Sequence, residues 1–255
     1  MDAPLIYIVG TAGSGKSSLA AALKLWMDHA GHDAVLVNLD PGAEDLPYLP
    51  DIDIRQWVSL QEVMAAHGLG PNGGQVAAAD MIALNAAEVA EALEGYRTEC
   101  FIIDTPGQIE LFAFRSSSRT LIEVLGMERA LIIFLMDANL CKNPNGFASA
   151  LMLSATVQFR LGIPHCAVIA KADLLTDGEL EEVLRWSEDF EALDSALYTA
   201  RDSGSRLMSI EALRALRGVE PQHPLMITSA EDMEGMEQIY AHVQQHFAGG
   251  EEGAG

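Results

Sequence analysis

The residues with the clearest chemical meaning lie together near the start of the chain, from Gly10 to Ser17. Their sequence, GTAGSGKS, fits the pattern G-x-x-x-x-G-K-[ST], which is typical of phosphate-binding loops (P-loops). In such a loop the backbone N–H groups converge on one phosphate, and the dipole of the following helix adds to their effect. The pattern predicts a nucleoside triphosphate site; the alternative is a glycine turn that holds no ligand.

Side chains of this loop have distinct expected roles. The Lys16 ammonium would contact the β- and γ-phosphates, and the Ser17 hydroxyl would be a ligand of Mg²⁺. Glycines let the backbone approach the phosphates without a clash from a Cβ atom. The residues expected to bind the phosphates are Gly13, Ser14, Gly15, Lys16, Ser17 and Ser18.

Patterns on either side of the loop indicate the elements that hold it. An apolar run at 5–9 predicts a buried strand, and the pattern over 18–29 predicts a helix. A second apolar run at 34–39 completes a βαβ unit, which implies parallel strands and a right-handed crossover. We therefore predict an α/β, three-layer P-loop NTPase fold with a mostly parallel sheet, helices on both faces and a helical insertion.

Two predicted strands end in an aspartate. Parallel strands bring their carboxyl ends to one edge of the sheet, where ligands bind. Asp40 follows the strand at 34–39, and its carboxylate could orient a water molecule or approach the Mg²⁺; the alternative is a plain Asp-Pro-Gly turn. Asp104 ends the strand at 98–104 and is expected to hold Mg²⁺ directly or through water.

The chain continues after Asp104 with Thr-Pro-Gly-Gln, as in the switch of a GTPase. The Gly107 N–H is expected to reach the γ-phosphate, and Gln108 to orient the attacking water. Glu110 either supports this loop or is a solvated residue at the start of a helix. Arg115, which follows the switch, is a candidate for an arginine that stabilises the transition state.

A later motif predicts which base is bound. The strand at 165–170 leads into Lys171-Ala172-Asp173, which resembles the base-reading loop of GTPases. A carboxylate at Asp173 would accept hydrogen bonds from the N1–H and N2–H₂ groups of guanine, an edge that adenine lacks. The Lys171 stem would pack over the base. GTPases usually have an asparagine before this lysine, which ties the loop to the P-loop, whereas position 170 is alanine.

Ser229 and Ala230 follow the last predicted strand, at 225–227. They resemble the fifth GTPase motif, in which a backbone N–H meets guanine O6. Ser229 is also suited to cap a helix, because acidic residues follow it at 231 and 232. Both interpretations can hold together.

The rest of the chain is expected to complete one domain over 1–248, with a disordered tail at 249–255. The other predicted elements before residue 140 are a strand at 52–58, helices at 60–67 and 75–93 on either side of a loop at 68–74, and a strand at 130–137. A helix is predicted at 144–161, with Met152, Leu153, Val157 and Phe159 in the core. It is followed by a helical insertion at 176–218, broken near 202–204, and by a final helix at 233–247.

Composition excludes several classes of protein. The chain has 255 residues and a formal net charge of −22, which disfavours binding to nucleic acid or to anionic membranes and is otherwise explained by solubility. We expect no membrane span and no targeting segment. The three cysteines lack metal-binding spacing and suit a reducing, cytoplasmic location.

The order of these motifs resembles that of the GPN-loop GTPases over about residues 4–247. The motifs are the P-loop, Asp40-Pro41, Gly70-Pro71-Asn72, Asp104-Thr105-Pro106-Gly107-Gln108, Lys171-Ala172-Asp173 and Ser229-Ala230. By composition alone, Gly70-Pro71-Asn72 is only a loop. The size is similar to that of archaeal members of the family.

The resemblance implies a Mg²⁺-dependent homodimer that hydrolyses GTP to GDP. It implies that Gly70, Pro71 and Asn72 complete the site of the partner subunit in trans, and that Asp40 is the catalytic aspartate and Gln108 positions water. Eukaryotic relatives are implicated in assembling and importing RNA polymerase II, which suggests a protein client for this chain.

Two other functions stay open from the sequence. One is an assembly scaffold with negligible turnover, in which the nucleotide only locks the dimer. The other is a related P-loop ATPase, which Ala170 leaves open. Position 11 is threonine, whereas such ATPases often carry an extra lysine early in the P-loop.

We expect Asp173→Asn to lose the preference for GTP over ATP, because an amide cannot accept both guanine hydrogen bonds. Competition of each nucleotide with a fluorescent GDP analogue measures this preference. A variant that still prefers GTP would contradict the assignment of Asp173.

Overall fold

A single parallel sheet positions the motifs. Its strands are β1 (Leu5–Gly10), β2 (Ala34–Asn38), β3 (Ile52–Asp53), β4 (Cys100–Asp104), β5 (Ala130–Asp137), β6 (His165–Ala170) and β7 (Met226–Ile227). In the computed structural model, which describes residues 3–200 and 225–248, these strands pair in the order β3-β2-β4-β1-β5-β6-β7. All of these pairings are parallel, which confirms the predicted class of sheet.

Helices connect the strands and cover both faces of the sheet. They are α1 (Lys16–Ala30), α2 (Leu60–His67), α3 (Pro71–Leu84), α4 (Ala86–Glu94), α5 (Ile109–Phe112), α6 (Ser116–Leu125), α7 (Ala138–Cys141), α8 (Pro144–Leu161), α9 (Asp177–Glu188), α10 (Phe190–Thr199) and α11 (Met236–Ala248). None of the helices in the described ranges is long and apolar enough to cross a membrane.

Alternation along β1 divides the core between the two faces. Leu5, Tyr7 and Val9 belong to one cluster of buried residues, and Ile6 and Ile8 belong to another. Each face therefore packs against its own layer of helices, which gives the expected three layers. Because both faces are covered, the strands are apolar along their whole length.

The register of the strands aligns their carboxyl ends. Asp104 lies opposite Ile8 on one side and Asn38 on the other, and Asp137 lies opposite Ala170. The loops that follow β1, β2, β4, β5 and β6 therefore leave the sheet at the same edge, as the sequence predicted.

Two predicted elements near the start of the chain were wrong in extent. The strand expected at 52–58 is only two residues long, because a 3₁₀ turn at Ile54–Gln56 ends it. The helix expected at 75–93 begins earlier, at Pro71, and is interrupted at Asn85. The Asn85 side-chain amide donates to the Met81 carbonyl at 2.8 Å, which competes with continued backbone hydrogen bonding.

Helix α8 has the predicted bounds, but two of its expected core residues are exposed. Its buried stripe repeats every three or four residues through Phe147, Ala150, Ser154, Val157 and Leu161. Met152 and Phe159 lie outside this stripe and are 37% and 69% exposed. Their apolar character therefore did not indicate their orientation.

The expected insertion begins with two helices rather than one. Thr176 and Glu179 form a capping box at the start of α9, and Asp189 separates α9 from α10. Trp186 and Leu193 join the first core cluster, so both helices pack on the body of the domain. The predicted break near 202–204 and the tail at 249–255 lie outside the described residues, and the final helix begins at Met236 rather than 233.

The close approach of α7 and α8 depends on Gly146. A Cβ atom at this position would lie 1.9 Å from the Leu140 carbonyl oxygen, which belongs to the backbone and cannot rotate away. We expect Gly146→Ala to lower the free energy of unfolding by about 2 kcal/mol through overpacking. Urea denaturation measures this change. Gly178→Ala in α9 is the matched control, because a Cβ there meets nothing within 4 Å, and this variant should be at least as stable as the wild type.

Candidate nucleotide-binding site

The P-loop has the backbone geometry that its glycines predict. Gly13 and Gly15 have φ angles of +75° and +94°, which other residues rarely adopt. The Ser14 hydroxyl is buried and has no hydrogen-bond partner among the described residues. A Cβ at Gly10 would lie 2.6 Å from this hydroxyl oxygen and 3.1 Å from the Leu135 carbonyl oxygen, so a side chain there would be crowded. Gly13 and Ser18 are exposed, and Ser17 is half-buried at the start of α1.

Lys16 is buried and held entirely by backbone carbonyls. Its ammonium donates to the carbonyl oxygens of Gly10, Thr11 and Gly107 at 3.1, 3.0 and 2.8 Å. Burial lowers the pKa of Lys16, and the nearby charges of Asp104 and Asp40 oppose this shift. The expected contact of the Lys16 ammonium with the β- and γ-phosphates stays a prediction.

Asp104 is buried at the end of β4 and offers one free carboxylate oxygen. Oδ2 accepts a hydrogen bond from the Tyr48 hydroxyl at 2.7 Å, while Oδ1 has no hydrogen-bond partner in the described ranges. Burial raises the pKa of Asp104, and the neighbouring Ser17, Tyr48 and Lys16 reduce that rise.

This donor set fits Mg²⁺, which prefers carboxylate and hydroxyl oxygens and takes its other ligands from phosphates and water. Asp104 Oδ1 is a buried oxygen without a partner, and Ser17 lies next to it. The described residues contain no group of three or more His, Cys, Asp or Glu side chains that could hold a metal ion alone. Phosphate oxygens of a nucleotide and water would supply the other ligands.

Asp40 joins two loops at the edge of the sheet. Its Oδ1 accepts the Gly42 N–H and its Oδ2 accepts the Gly107 N–H, each at 2.8 Å. The Gly107 N–H was expected to reach the γ-phosphate, but in this structure it donates to Asp40. The structure thus brings Asp40, Gly107 and Lys16 together, as the sequence predicted, through bonds that the sequence did not indicate.

Gln108 is exposed and turns toward α3. Its side-chain amide donates to the Gln75 side-chain oxygen at 3.3 Å. A pocket beside it is lined by Asp40, Gly42, Gln75, Gly107 and Gln108, among others. Glu110 is also exposed, in the first turn of α5, as the solvated alternative predicts.

Lys171 connects the base-reading loop to the P-loop. Its ammonium donates to the Gly13 carbonyl at 2.5 Å and to Asp137 Oδ2 at 2.7 Å. The residue has a φ of +63°, which is uncommon for a residue with a side chain. Ala170 is buried and lacks the side chain with which an asparagine usually connects this loop to the P-loop. The Lys171 ammonium connects the two loops instead, through the Gly13 carbonyl.

The two base motifs are joined through Thr228. Its carbonyl accepts the Ala172 N–H at 3.0 Å, and its own N–H donates to Ile169 at 2.8 Å. Asp173 is exposed in the following 3₁₀ turn, so its carboxylate is accessible. Ser229 is buried and caps a turn by accepting the Asp232 N–H, and α11 begins only later. Ala230, beside it, is half-buried.

The segment Gly70-Pro71-Asn72 is exposed at the start of α3. Gly70 is the N-cap, and Pro71 occupies the first helical turn, where its missing N–H costs nothing. All three residues are exposed to solvent. Gly74 lets α3 cross α2 closely, because a Cβ there would lie 2.4 Å from Met64 Cγ. The expected loop is therefore a helix start that projects from a tightly packed helix pair.

Comparison with known proteins agrees with this set of motifs. A family model described as a conserved hypothetical ATP binding protein matches residues 8–249. The GPN-loop GTPase PAB0955 of Pyrococcus abyssi is 30% identical over 245 residues, which cover 95% of this chain and 97% of that protein. The chain belongs to the GPN-loop GTPase family.

A solved structure and a further relative agree with this family. The crystal structure of PAB0955, a GTPase in apo form from Pyrococcus abyssi, aligns with a TM-score of 0.86 and 30% identity, covering 97% of this chain and 98% of that one. The GPN-loop GTPase QQT1 of Arabidopsis thaliana is 32% identical over 173 residues, which are 66% of this chain and 58% of that protein.

Several residues that shape this GPN-loop GTPase site were missed from the sequence. Asn38 is fully buried, accepts the Asp40 N–H at 2.9 Å and donates to Asp53 at 2.9 Å. Arg55 in turn binds Asp53 and donates to the Ala43 carbonyl at 2.9 Å. The signal available was a polar residue, Asn38, ending an apolar strand, but its partner Asp53 lies 15 residues along the chain, too far to be predicted from spacing.

Arg115 has a partner within the chain. Its guanidinium binds the Asp80 carboxylate on α3 through two nitrogens, and the Ser117 hydroxyl donates to the same carboxylate at 3.0 Å. The hydrogen bond from Arg115 is the largest cause that lowers the pKa of Asp80. In this structure the candidate arginine therefore links the switch to α3.

Asp137 offers a test of the base-reading loop, because its two oxygens have separate functions. Oδ1 caps α7 by accepting the Asn139 N–H at 2.9 Å, and Oδ2 accepts Lys171. Asp137→Asn keeps an oxygen for the cap but removes the charge that holds Lys171. We expect GDP affinity to fall by about three- to tenfold, as for loss of a hydrogen bond to a charged group.

Calorimetric titration with GDP measures this affinity. Asp28→Asn is the matched control, because Asp28 pairs with Lys24 on the surface of α1 at 2.6 Å and has no contact with the loop. Equal GDP affinity in Asp137→Asn and wild type would contradict the role assigned to the Lys171–Asp137 pair.

Proposed function

We propose that the protein binds GTP with Mg²⁺ and hydrolyses it to GDP and phosphate, as a homodimer whose two subunits share their sites. The observation that carries the proposal is the position of Gly107. Its carbonyl accepts Lys16 of the P-loop and its N–H donates to Asp40, so that the switch contacts both the phosphate site and a carboxylate. Phosphoryl transfer requires this kind of positioning more than covalent catalysis.

The side chains of the site have separate tasks in hydrolysis. Lys16 neutralises charge on the transferred phosphate, and the P-loop N–H groups bind its oxygens. Mg²⁺, held by Ser17 and Asp104, supplies further charge neutralisation when it is bound. Each Asp40 oxygen keeps a lone pair beyond its bond to Gly42 or Gly107, so this carboxylate can accept a hydrogen bond from water. Gln108 orients that water.

Specificity for guanine rests on Asp173, Lys171 and Ser229-Ala230. Asp173 is exposed at the carboxyl edge, where its carboxylate can accept the paired donors of guanine. Lys171 packs over the base, and the backbone of the Ser229-Ala230 turn faces guanine O6. The hydrogen bonds of Thr228 to Ile169 and Ala172 support this arrangement, because they fix the motif at Ser229 relative to the motif at Asp173.

The dimer explains the exposure of Gly70-Pro71-Asn72. These residues lie at the surface, whereas Gln108 of the same chain contacts α3 farther along, at Gln75. We propose that the tripeptide of one subunit reaches the γ-phosphate region of the other and supplies the Asn72 amide and backbone N–H groups there. Arg115 is bound to Asp80 in this structure. A contribution from the partner subunit to transition-state stabilisation is therefore needed more than if Arg115 contacted the phosphates.

The cellular role is the assembly of a protein complex, for which RNA polymerase is the client we propose. The net charge of −22 disfavours direct binding to nucleic acid or to a membrane. A reducing, cytoplasmic location fits the three buried free thiols, since burial raises the pKa of each to about 12. Pull-down with the Gln108→Leu protein loaded with GTP tests the client.

Phosphate release measured with GTP and with ATP, each with Mg²⁺ or with EDTA, tests the reaction. GTP turnover that requires Mg²⁺ supports the proposal. A single-turnover experiment that yields no GDP over hours would instead favour a scaffold that only binds the nucleotide.

We expect Asn72→Ala to slow GTP hydrolysis by at least about tenfold while GTP affinity changes by less than about threefold, because its amide would act on the transition state. Single-turnover hydrolysis and equilibrium binding separate the two effects. Gln61→Ala, in the exposed first turn of the neighbouring α2, is the matched control.

Mixed dimers test the action in trans. A dimer of one Asn72→Ala subunit and one Lys16→Ala subunit has a single intact site, formed by the P-loop of the first and the tripeptide of the second. Random exchange should restore roughly a quarter of the wild-type rate per subunit. A rate equal to the average of the two parent variants would contradict the shared site.

A further inference from the structure

Tyr48 lies in the segment between β2 and β3, outside every motif identified above, yet it reaches the centre of the site. Its hydroxyl donates to Asp104 Oδ2 at 2.7 Å, across 56 residues of sequence. The ring is half-buried and packs against the second core cluster, which holds the hydroxyl in place. This contact joins the segment after Asp40 to the aspartate expected to hold Mg²⁺.

The contact gives the two oxygens of Asp104 different environments. Oδ2 accepts the tyrosine hydroxyl, whereas Oδ1 is buried and has no hydrogen-bond partner within the described residues. The terminal torsion of an aspartate is broad, so a carboxylate without a fixed partner can rotate. A hydrogen bond to one oxygen restricts that freedom and leaves the other oxygen in a defined position.

The backbone around Tyr48 is held at both ends. Arg55 donates to the Ala43 carbonyl at 2.9 Å near the start of the segment. Asp51 at its end exchanges two hydrogen bonds with the backbone of Leu36, each of 2.8 Å. The segment that carries Tyr48 is thus held by hydrogen bonds within the protein. The position of the Tyr48 hydroxyl therefore does not depend on a bound ligand.

We propose that Tyr48 is a positioning residue for Mg²⁺: it orients Asp104 so that Oδ1 is preorganised as a ligand. This inference rests on the proposed Mg²⁺ site. Tyr48 touches neither nucleotide nor metal in this role, so removing its hydroxyl should weaken Mg²⁺ binding and leave Mg²⁺-free nucleotide binding unchanged.

The test is the Mg²⁺ dependence of the dissociation rate of a fluorescent GDP analogue, in the wild type and in Tyr48→Phe. We expect the half-saturating Mg²⁺ concentration to rise about tenfold in Tyr48→Phe, which corresponds to about 1.4 kcal/mol. The dissociation rate in EDTA should stay within about twofold of wild type, because preorganisation of a metal ligand affects only the metal-bound state.

Tyr96→Phe is the matched control. The Tyr96 hydroxyl donates to the Asp51 carbonyl at 3.2 Å, so this variant also removes a tyrosine bond to the same segment but leaves Asp104 untouched. It should keep the wild-type Mg²⁺ dependence. In an Asp104→Asn background, Tyr48→Phe should cause no further change, since the ligand that it orients is altered.

Three results would overturn the inference. The first is a half-saturating Mg²⁺ concentration in Tyr48→Phe within about twofold of wild type. The second is an equal rise in Tyr96→Phe, which would assign the effect to a loosened segment. The third is an EDTA dissociation rate that rises as much as the rate with Mg²⁺. If dissociation of the GDP analogue from the wild type did not depend on Mg²⁺ at all, the proposed metal site itself would be wrong. This result distinguishes failure of the Mg²⁺ site from failure of the role proposed for Tyr48.

Discussion

One residue, Gly107, holds the functional edge of the sheet together through its two backbone polar groups. Its carbonyl accepts the Lys16 ammonium at 2.8 Å, and its N–H donates to Asp40 at 2.8 Å. Loops that follow three different strands therefore meet at a single residue. An ammonium has three donors, and three carbonyls hold those of Lys16. A phosphate can gain a hydrogen bond from Lys16 only if one of these carbonyls gives up its own.

This constraint couples the phosphate loop to the switch. A phosphate that binds Lys16 has to replace one of its carbonyl partners, and the Gly107 carbonyl of the switch is one of them. Release of the Gly107 carbonyl by Lys16 would free the backbone at Gly107 to move, and the Gly107 N–H could then leave Asp40. The Gly107 N–H can thus donate either to Asp40, as in this structure, or to the γ-phosphate, as expected from the sequence. The network of Asn38, Asp53 and Arg55 keeps Asp40 in place in either case.

The central architecture could be predicted from the sequence because its signals are local. The bounds of α8, β5 and β6 were correct, since Asn143 caps one end of α8 and Gly162 the other, and the strands are continuous apolar runs. The P-loop and the switch were placed correctly at the carboxyl edge for the same reason. The register of parallel strands then brings them together without further information.

The details that failed depend on contacts between distant residues. The break at Asn85 needs a side chain to bond the backbone of its own helix, which a periodic pattern does not predict. The exposure of Phe159 depends on which stripe of α8 faces the sheet. Tyr48 and Arg55 reach the site through hydrogen bonds whose partners lie in other segments. Such pairings follow from the packed fold.

Helix α3 has a mechanical consequence that its separate contacts do not convey. Its first residues are the exposed Gly-Pro-Asn segment, and farther along Gln75 and Asp80 are bonded to Gln108 and Arg115 of the switch. A helix rises about 1.5 Å per residue and behaves as a stiff rod over this length. A displacement of the switch would therefore be transmitted along α3 to the exposed Gly-Pro-Asn segment in its first turn.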